Sequence, residues 1–266
     1  MDQPAGHRRL VLWRHGRTAW NVENRAQGQS DVPLDDFGHE QARNAAPTLA
    51  EFEPVALWSS DLRRATDTAA YLADATGLPV RTDERLREYA VGLRQGFTFD
   101  EFREAHPEVH RQFFTDPDYH VPGAEEIPEV RERMAAAFRD IAADLQPGET
   151  AIVVGHGASL VAGILGFFDA PTALREMLGG MDNCAWAILH EHPARGWQIS
   201  GYNLDSHGGP RQRGTGENAD SPAAVRQRLH QEANRLHGTV TIDDLRAFAE
   251  RHADLADEAI MREAWS

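Results

Sequence analysis

The sequence predicts an α/β protein with a mostly parallel sheet. Short apolar runs alternate with segments of helical period, as parallel strands joined by crossover helices do. Two of those runs, "LVLW" (10–13) and "ETAIVV" (149–154), are almost uninterruptedly apolar, which suits strands covered on both faces. The last two, "CAWAILHE" (184–191) and "GWQISGYN" (196–203), are joined by "HPARG" and read as an antiparallel pair closing one edge.

Between these ends the elements follow in order. "VALWSS" (55–60) is a second strand. A helix follows over 61–77, where Leu62, Ala65, Ala69 and Leu72 recur at helical spacing. Ser60 or Asp61 is expected to cap its start, and Gly77 lies just past its end. "LPVRTD" (78–83) is a short third strand leading into the loop "ERLREYAVGLRQG" (84–96). Residues 97–125 are rich in aromatics and histidines. A lid over a pocket is one reading; a helical insert pinned to the body by Phe99, Phe102, Phe113 and Phe114 is the preferred one. "ASLVAGILGFF" (158–168) continues the 149–154 strand as a helix. Beyond it, residues 206–222 are a polar, Gly-rich linker and 223–266 a small helical tail of unassigned role. Within that tail "HGTVTIDDL" (237–245) lacks oxygen ligands where a calcium loop needs them, since Ala233, Arg235 and His237 stand there. The catalytic domain is expected over 8–205.

Composition narrows the function. With 266 residues, 41% hydrophobic and 26% charged, the chain can bury a substantial core. Its formal charge of −15 argues against general binding to nucleic acid or anionic membranes, so an anionic ligand needs a local cationic pocket. Cys184 is the single cysteine, which excludes an internal disulfide and suits a reducing cytoplasm. The first ten residues carry no apolar signal core. Residues 151–168 hold no Asp, Glu, Lys or Arg, yet Gly155-His156-Gly157 breaks them into strand, turn and helix, not a membrane span.

The chemistry collects behind the strands. Arg14 and His15 follow the first, Arg64 lies in the first turn after the second, Glu88 follows the third, and His156 the fourth. In a parallel sheet all four points fall on one edge, where ligands bind. Each residue alone has a plainer reading: a solvated arginine or glutamate, or a core histidine satisfied by a carbonyl. Together, two arginines and two imidazoles would repel one another unless an anion joined them. A phosphate dianion fits, with turn amides at Gly16 and Gly157 as further donors. No catalytic-looking Cys, Gly-x-Ser-x-Gly, Walker loop or zinc spacing is present, so for phosphate chemistry without a metal histidine is the available nucleophile.

The segments "RHGRTAWN" (14–21), "RAQGQSDVPLDDFGHEQA" (25–42), "SSDLRRATDTA" (59–69), "LREYAVGLRQG" (86–96) and "VGHGAS" (154–159) resemble, in order, the histidine phosphatase superfamily, the phosphoglycerate mutase-like proteins. The resemblance covers about residues 9–205. It implies a three-layer α/β/α fold with a mixed, mostly parallel sheet, to which this chain adds its C-terminal helical tail. It implies that His15 is transiently phosphorylated, that Glu88 is the proton donor, and that Arg14, Arg64 and His156 hold the phosphoryl group. Asn21, Gln27, Gly28 and Gly157 would line the pocket. Arg64 is chosen over Arg63 because the family places its arginine directly before the alanine of this helix; periodicity alone does not separate them. Neighbouring guanidinium groups keep His15 neutral and nucleophilic. The same cations favour a charged Glu88 while a bound phosphate dianion favours the neutral form, so Glu88 should be protonated mainly in the substrate complex.

Within the superfamily, "LREYAVGLRQG" and the compact spacing from Glu88 to His156 resemble the phosphatase branch. "LGGMDNCAWAIL" (178–189) is similar to the matching segment of glucosyl-3-phosphoglycerate phosphatases. "PGAEE" (122–126) departs from the Gly-Gly-Glu-Ser of many phosphatases, and "GHGAS" from the usual Ser-His-Gly turn. The expected function is a metal-independent, cofactor-free phosphatase acting on a small phosphomonoester, such as a phosphorylated sugar acid. Its partners are that small molecule, with no nucleic acid and no membrane, and a homo-oligomer is left open. The alternatives are a cofactor-dependent phosphoglycerate mutase and a catalytically silent phospho-ligand sensor or scaffold.

Overall fold

The chain opens with β1 (Arg9–Arg14), a single helical turn α1 (Ala19–Val22), α2 (Asp36–Ala50), β2 (Ala56–Ser59), α3 (Arg63–Thr76) and β3 (Val80–Thr82). A helical hairpin, α4 (Phe99–Ala105) and α5 (Pro107–Thr115), precedes the long α6 (Ile127–Asp144). Then come β4 (Thr150–Gly155), α7 (Gly157–Phe167), a short α8 (Arg175–Leu178), β5 (Trp186–His192) and β6 (Gly196–Leu204). The computed structural model describes residues 7–116 and 119–206. The linker, apart from Ser206, and the helical tail with its calcium-like stretch lie outside the described residues.

The six strands form one sheet in the order β3-β2-β4-β1-β5-β6. β3, β2, β4 and β1 run parallel, while β5 is antiparallel to β1 and β6 to β5. The apolar runs are continuous because both sheet faces are covered. Leu10, Leu12, Ala151 and Val153 face Val130, Met134 and Phe138 of α6 and Leu160 and Ile164 of α7. Val11, Trp13, Ile152 and Val154 face Ala42, Ala45 and Leu49 of α2 and Ala65, Ala69 and Leu72 of α3. The three layers follow directly. β1 and β4 pair in register, Arg14 against Gly155, so the residues just beyond them emerge side by side where the connections diverge.

Three expectations change. The start of α3 has Leu62 at its N-cap with no side-chain cap bond; Ser60 instead receives the Leu62 N–H on Oγ at 3.3 Å, before the helix begins. Gly77 does end the helix, in the left-handed conformation at φ 74°. The insert is helical, but of Phe99, Phe102 and Phe113 only Phe102 is buried deeply. Phe99 is 43% exposed and meets His110 edge-on, so part of the aromatic surface serves the hairpin itself; the Phe114 side chain lies outside the described residues. The long helices α2 and α6, and the short α1 and α8, have no counterpart among the expected elements. Residues 151–168 divide between β4 and α7 around His156, and among the described residues no helix is long and apolar enough to cross a membrane.

One close approach fixes the loop after β1. A Cβ on Gly38 would lie 2.0 Å from the carbonyl oxygen of Arg17, and one on Gly16 would lie 2.5 Å from the Gly38 carbonyl oxygen. The first turn of α2 therefore rests directly on the backbone of residues 16–17, and neither glycine can gain a methyl group without a backbone shift. Gly38→Ala should lower the unfolding free energy by about 1–3 kcal/mol, measured by urea denaturation. Unchanged stability would show that this contact is soft.

Candidate active site

The sheet delivers its functional side chains to one edge. His15 follows β1, His156 follows β4, Arg64 opens α3 after β2, and Glu88 lies in the loop after β3. His15 is 3% exposed, and its ring meets that of His156 at a centroid distance of 5.1 Å and 60°. Its Nδ1 hydrogen-bonds the carbonyl of Gly16 at 2.6 Å. A carbonyl only accepts, so Nδ1 carries the proton and Nε2 the lone pair. Nε2 has no hydrogen-bond partner among the described residues.

Arg64 is wholly buried, whereas Arg63 is exposed and reaches Asp67 at 3.4 Å. This separates the two arginines that helical spacing leaves equivalent. The Arg64 guanidinium donates to Ser30 O (2.7 Å), to Gly28 O (2.8 Å) and, through Nε, to Nδ1 of His156 (3.1 Å). An arginine only donates. Nδ1 of His156 must therefore accept, which leaves the proton on Nε2. That Nε2 is buried and has no partner among the described residues. The two imidazoles thus have opposite tautomers: His15 offers a lone pair at Nε2 and His156 offers a donor at the same atom.

Charge supports this neutral pair. Burial first, then the Arg64 and Arg14 cations, hold His15 well below the ordinary imidazole range, against a smaller opposing effect of the Gly16 carbonyl. His156 is lowered in the same way by burial, Arg64, His15 and Arg14. Burial brings Arg64 itself down to about 10, still a cation at neutral pH. Arg14 donates through Nη1 to the carbonyl of Met181, and its guanidinium lies so close to Gly157 that a Cβ there would stand 3.2 Å from Cζ.

Glu88 caps α7. Its Oε1 accepts the N–H groups of Tyr89 and Ser159, both at 2.9 Å, and Oε2 accepts that of Ala158 at 3.1 Å. It occupies the position where orphan helix N–H groups favour an anion. Gly28 turns at φ 51°, and a Cβ there would meet Val91 Cγ2 at 2.7 Å, so the loop that feeds carbonyls to Arg64 requires glycine. Beside it, Gln27 Oε1 is buried without a partner among the described residues. Asn21 belongs to the cap of α1 and accepts on Oδ1 from Thr18 N at 3.1 Å.

Other contributors escape sequence reasoning. Thr68 Oγ1 receives the Gly16 N–H at 3.0 Å. Asn183 Nδ2 donates to the His15 carbonyl at 3.2 Å. Arg133 donates to the carbonyls of Arg85, Arg87 and Glu88 while pairing with Glu125, which also takes the Ala90 N–H. Glu125, in the departing "PGAEE", thereby braces the Glu88 loop. Among the described residues no group of three or more His, Cys, Asp or Glu is placed to hold a metal ion.

Residues 10–205 match the histidine phosphatase superfamily (branch 1). A glucosyl-3-phosphoglycerate phosphatase of Mycolicibacterium vanbaalenii is 39% identical over 194 residues, 70% of this chain and 85% of that protein. A metal-independent phosphoserine phosphatase of Arabidopsis thaliana is 36% identical over 202 residues, 74% and 82% of the two chains. The structure of a mycobacterial glucosyl-3-phosphoglycerate phosphatase in complex with VO3 superposes with a TM-score of 0.67 at 36% identity, covering 74% of this chain and all of that one.

The two buried neutral histidines make stability depend on pH. In the unfolded chain they bind protons below about 6.5, and in the fold they resist doing so. The unfolded state then holds more protons, so stability falls as pH drops below that value, by about 1.4 kcal/mol per pH unit for each histidine. Urea denaturation between pH 7.5 and 5.5 should show this loss, and His156→Gln should reduce its slope. A flat profile over that window would contradict the neutral pair.

Proposed function

As a member of the histidine phosphatase superfamily (branch 1), to which this chain belongs, the protein is a phosphoric monoester hydrolase, and we propose that it works through a phosphohistidine on His15. The opposite tautomers of His15 and His156 carry this reading. The lone pair on His15 Nε2 attacks phosphorus, while the Nε2 proton of His156 and the cations of Arg14 and Arg64 face the charge on the phosphoryl oxygens.

Glu88 donates the proton that the leaving alkoxide takes as its bond to phosphorus breaks. Oε1 already accepts two amides and Oε2 only one, so Oε2 is the oxygen with room for that proton. The resulting carboxylate stays seated on the amides of α7. It then accepts a proton from the water that attacks the phosphohistidine, and phosphate leaves with His15 restored. Charge neutralisation rests on side chains throughout, so the cycle calls for no metal ion. Asn21, Gln27, Gly28 and Gly157 line the phosphoryl pocket in this reading.

His15→Ala should abolish phosphate release, and wild type quenched during turnover should carry an acid-labile, base-stable phosphoryl group. Full activity of the alanine variant would end the mechanism.

For the substrate we propose a phosphorylated sugar acid of the glucosyl-3-phosphoglycerate type. The supporting observation is the likeness to phosphatases of that name over most of their length. With chelator present, such an ester should release phosphate at an undiminished rate, whereas 2- and 3-phosphoglycerate should interconvert slowly even with 2,3-bisphosphoglycerate as primer. Rapid isomer exchange without phosphate release would favour the mutase and leave the residue roles intact. A rate lost to chelation and restored by magnesium would overturn the metal-free cycle.

A further inference from the structure

Asn21 sits in an arrangement that determines which end of its amide is free. Its Oδ1 accepts from the Thr18 backbone N–H at 3.1 Å, from Thr18 Oγ1 at 3.0 Å and from Asn183 Nδ2 at 3.3 Å. The first donor cannot reverse its role. The last cannot either, because Asn183 Nδ2 also donates to the His15 carbonyl, which only accepts. An amide oxygen held by these donors leaves Nδ2 of Asn21 as the end uncommitted among the described residues. We propose that Asn183 is a positioning residue: it holds the Asn21 amide with its N–H groups available to a phosphoryl oxygen and ties that amide to the nucleophile's own backbone.

Asn183 is itself firmly seated. The loop turns at Cys184 with φ 60°, and the Cys184 N–H reaches the same His15 carbonyl at 3.1 Å. On the other side, Asp182 N donates to Asn203 Oδ1 at 2.7 Å, and Asn203 Nδ2 returns a bond to Asp182 Oδ2 at 3.1 Å. The Asn203 contacts come from β6, so the edge of the sheet braces the loop that orients the site. The neighbouring Met181 carbonyl meets Arg14. A leucine or alanine at 183 could fill space there, but it could not choose between the two orientations of the Asn21 amide, which differ little in shape. The choice needs a donor.

The inference rests on the phosphohistidine reading, and its test separates the two. Asn183→Ala and the isosteric Asn183→Asp are each made in wild type and in Asn21→Ala, giving double-mutant cycles in kcat and in the inhibition constant of inorganic phosphate. In the wild-type background Asn183→Ala should lower kcat about tenfold, less than the roughly 100-fold or more that outright loss of an oriented donor costs, because the Asn21 amide stays and only its orientation is released. Asn183→Asp should lower it further, because a carboxylate facing Asn21 Oδ1 drives the amide to reverse. With Asn21→Ala in place, either change should cost less than about threefold in kcat. Inhibition by inorganic phosphate should weaken in the same coupled pattern, a readout that general loosening of the loop would not produce. Equal losses in both backgrounds, or no loss in either, would overturn the role of Asn183. Trapping of the phosphoenzyme in the same variants reports separately on His15, because its absence from wild type would refute the underlying mechanism instead.

Discussion

The structure depends on one fully buried cation, the guanidinium of Arg64. Taking such a group from water is costly unless its N–H groups find acceptors. Two of the acceptors are main-chain carbonyls, of Gly28 and Ser30, so the loop between α1 and α2 must fold across the sheet edge to supply them. The third is an imidazole nitrogen, which fixes the tautomer of His156 and prepares it to donate from its other face. None of these partners cancels the positive charge. The cation is therefore solvated by dipoles, with the Glu88 and Asp31 carboxylates acting on it only from nearby, and its charge adds to burial, the larger cause, in holding both histidines neutral.

Backbone contacts give this arrangement its rigidity. Gly16 and Gly38 let two main chains meet at distances that side chains would forbid, which clamps the residues beside His15 against α2. Gly157 similarly makes room for Arg14 at the start of α7. At that same helix end His156 provides no side-chain cap, and the missing bonds come from Glu88, distant in sequence. The carboxylate thus satisfies amides that would otherwise be orphaned, and those amides lie only two and three residues beyond His156. The Arg133–Glu125 pair, fastened to carbonyls on either side of Glu88, keeps the loop from drifting away from α7.

Much of this was legible in the sequence, for identifiable reasons. β1 and β4 are buried on both faces, so their apolar runs are unbroken, and the polar residues directly after them stand out. Spacing along α3 could narrow the buried arginine to Arg63 or Arg64, but only packing distinguishes the two, and there the family resemblance supplied the choice. Helix α2 buries a face built mainly on alanine, with Gly38 near its start and Pro47 inside, so its apolar signal is weak. α6 is a different case: Val130, Met134, Phe138 and Ile141 have a clear helical period that could have been read. Asn183 and Thr68 left no periodic trace, because each acts through hydrogen bonds to partners far along the chain, Asn183 to His15 and Asn21 and Thr68 to Gly16. The expected cap of α3 failed because Ser60 spends its hydroxyl on the turn before the helix.

The formal charge of −15 and the cationic pocket are reconciled by where the arginines find their partners. Arg8, Arg17, Arg25, Arg85, Arg87 and Arg133 each lie against a carboxylate, within paired or networked groups on or near the surface. Such pairs contribute little to stability, and they have little charge left over to attract an anion. Arg64 is held by dipoles instead. At physiological ionic strength the wider negative field fades over about 8 Å, whereas charges within a buried pocket are screened far less. A dianion therefore meets little favourable steering on approach and strong attraction only after it has shed water at the sheet edge. Recognition of this kind selects for the shape and oxygen geometry of a phosphoryl group rather than for negative charge in general.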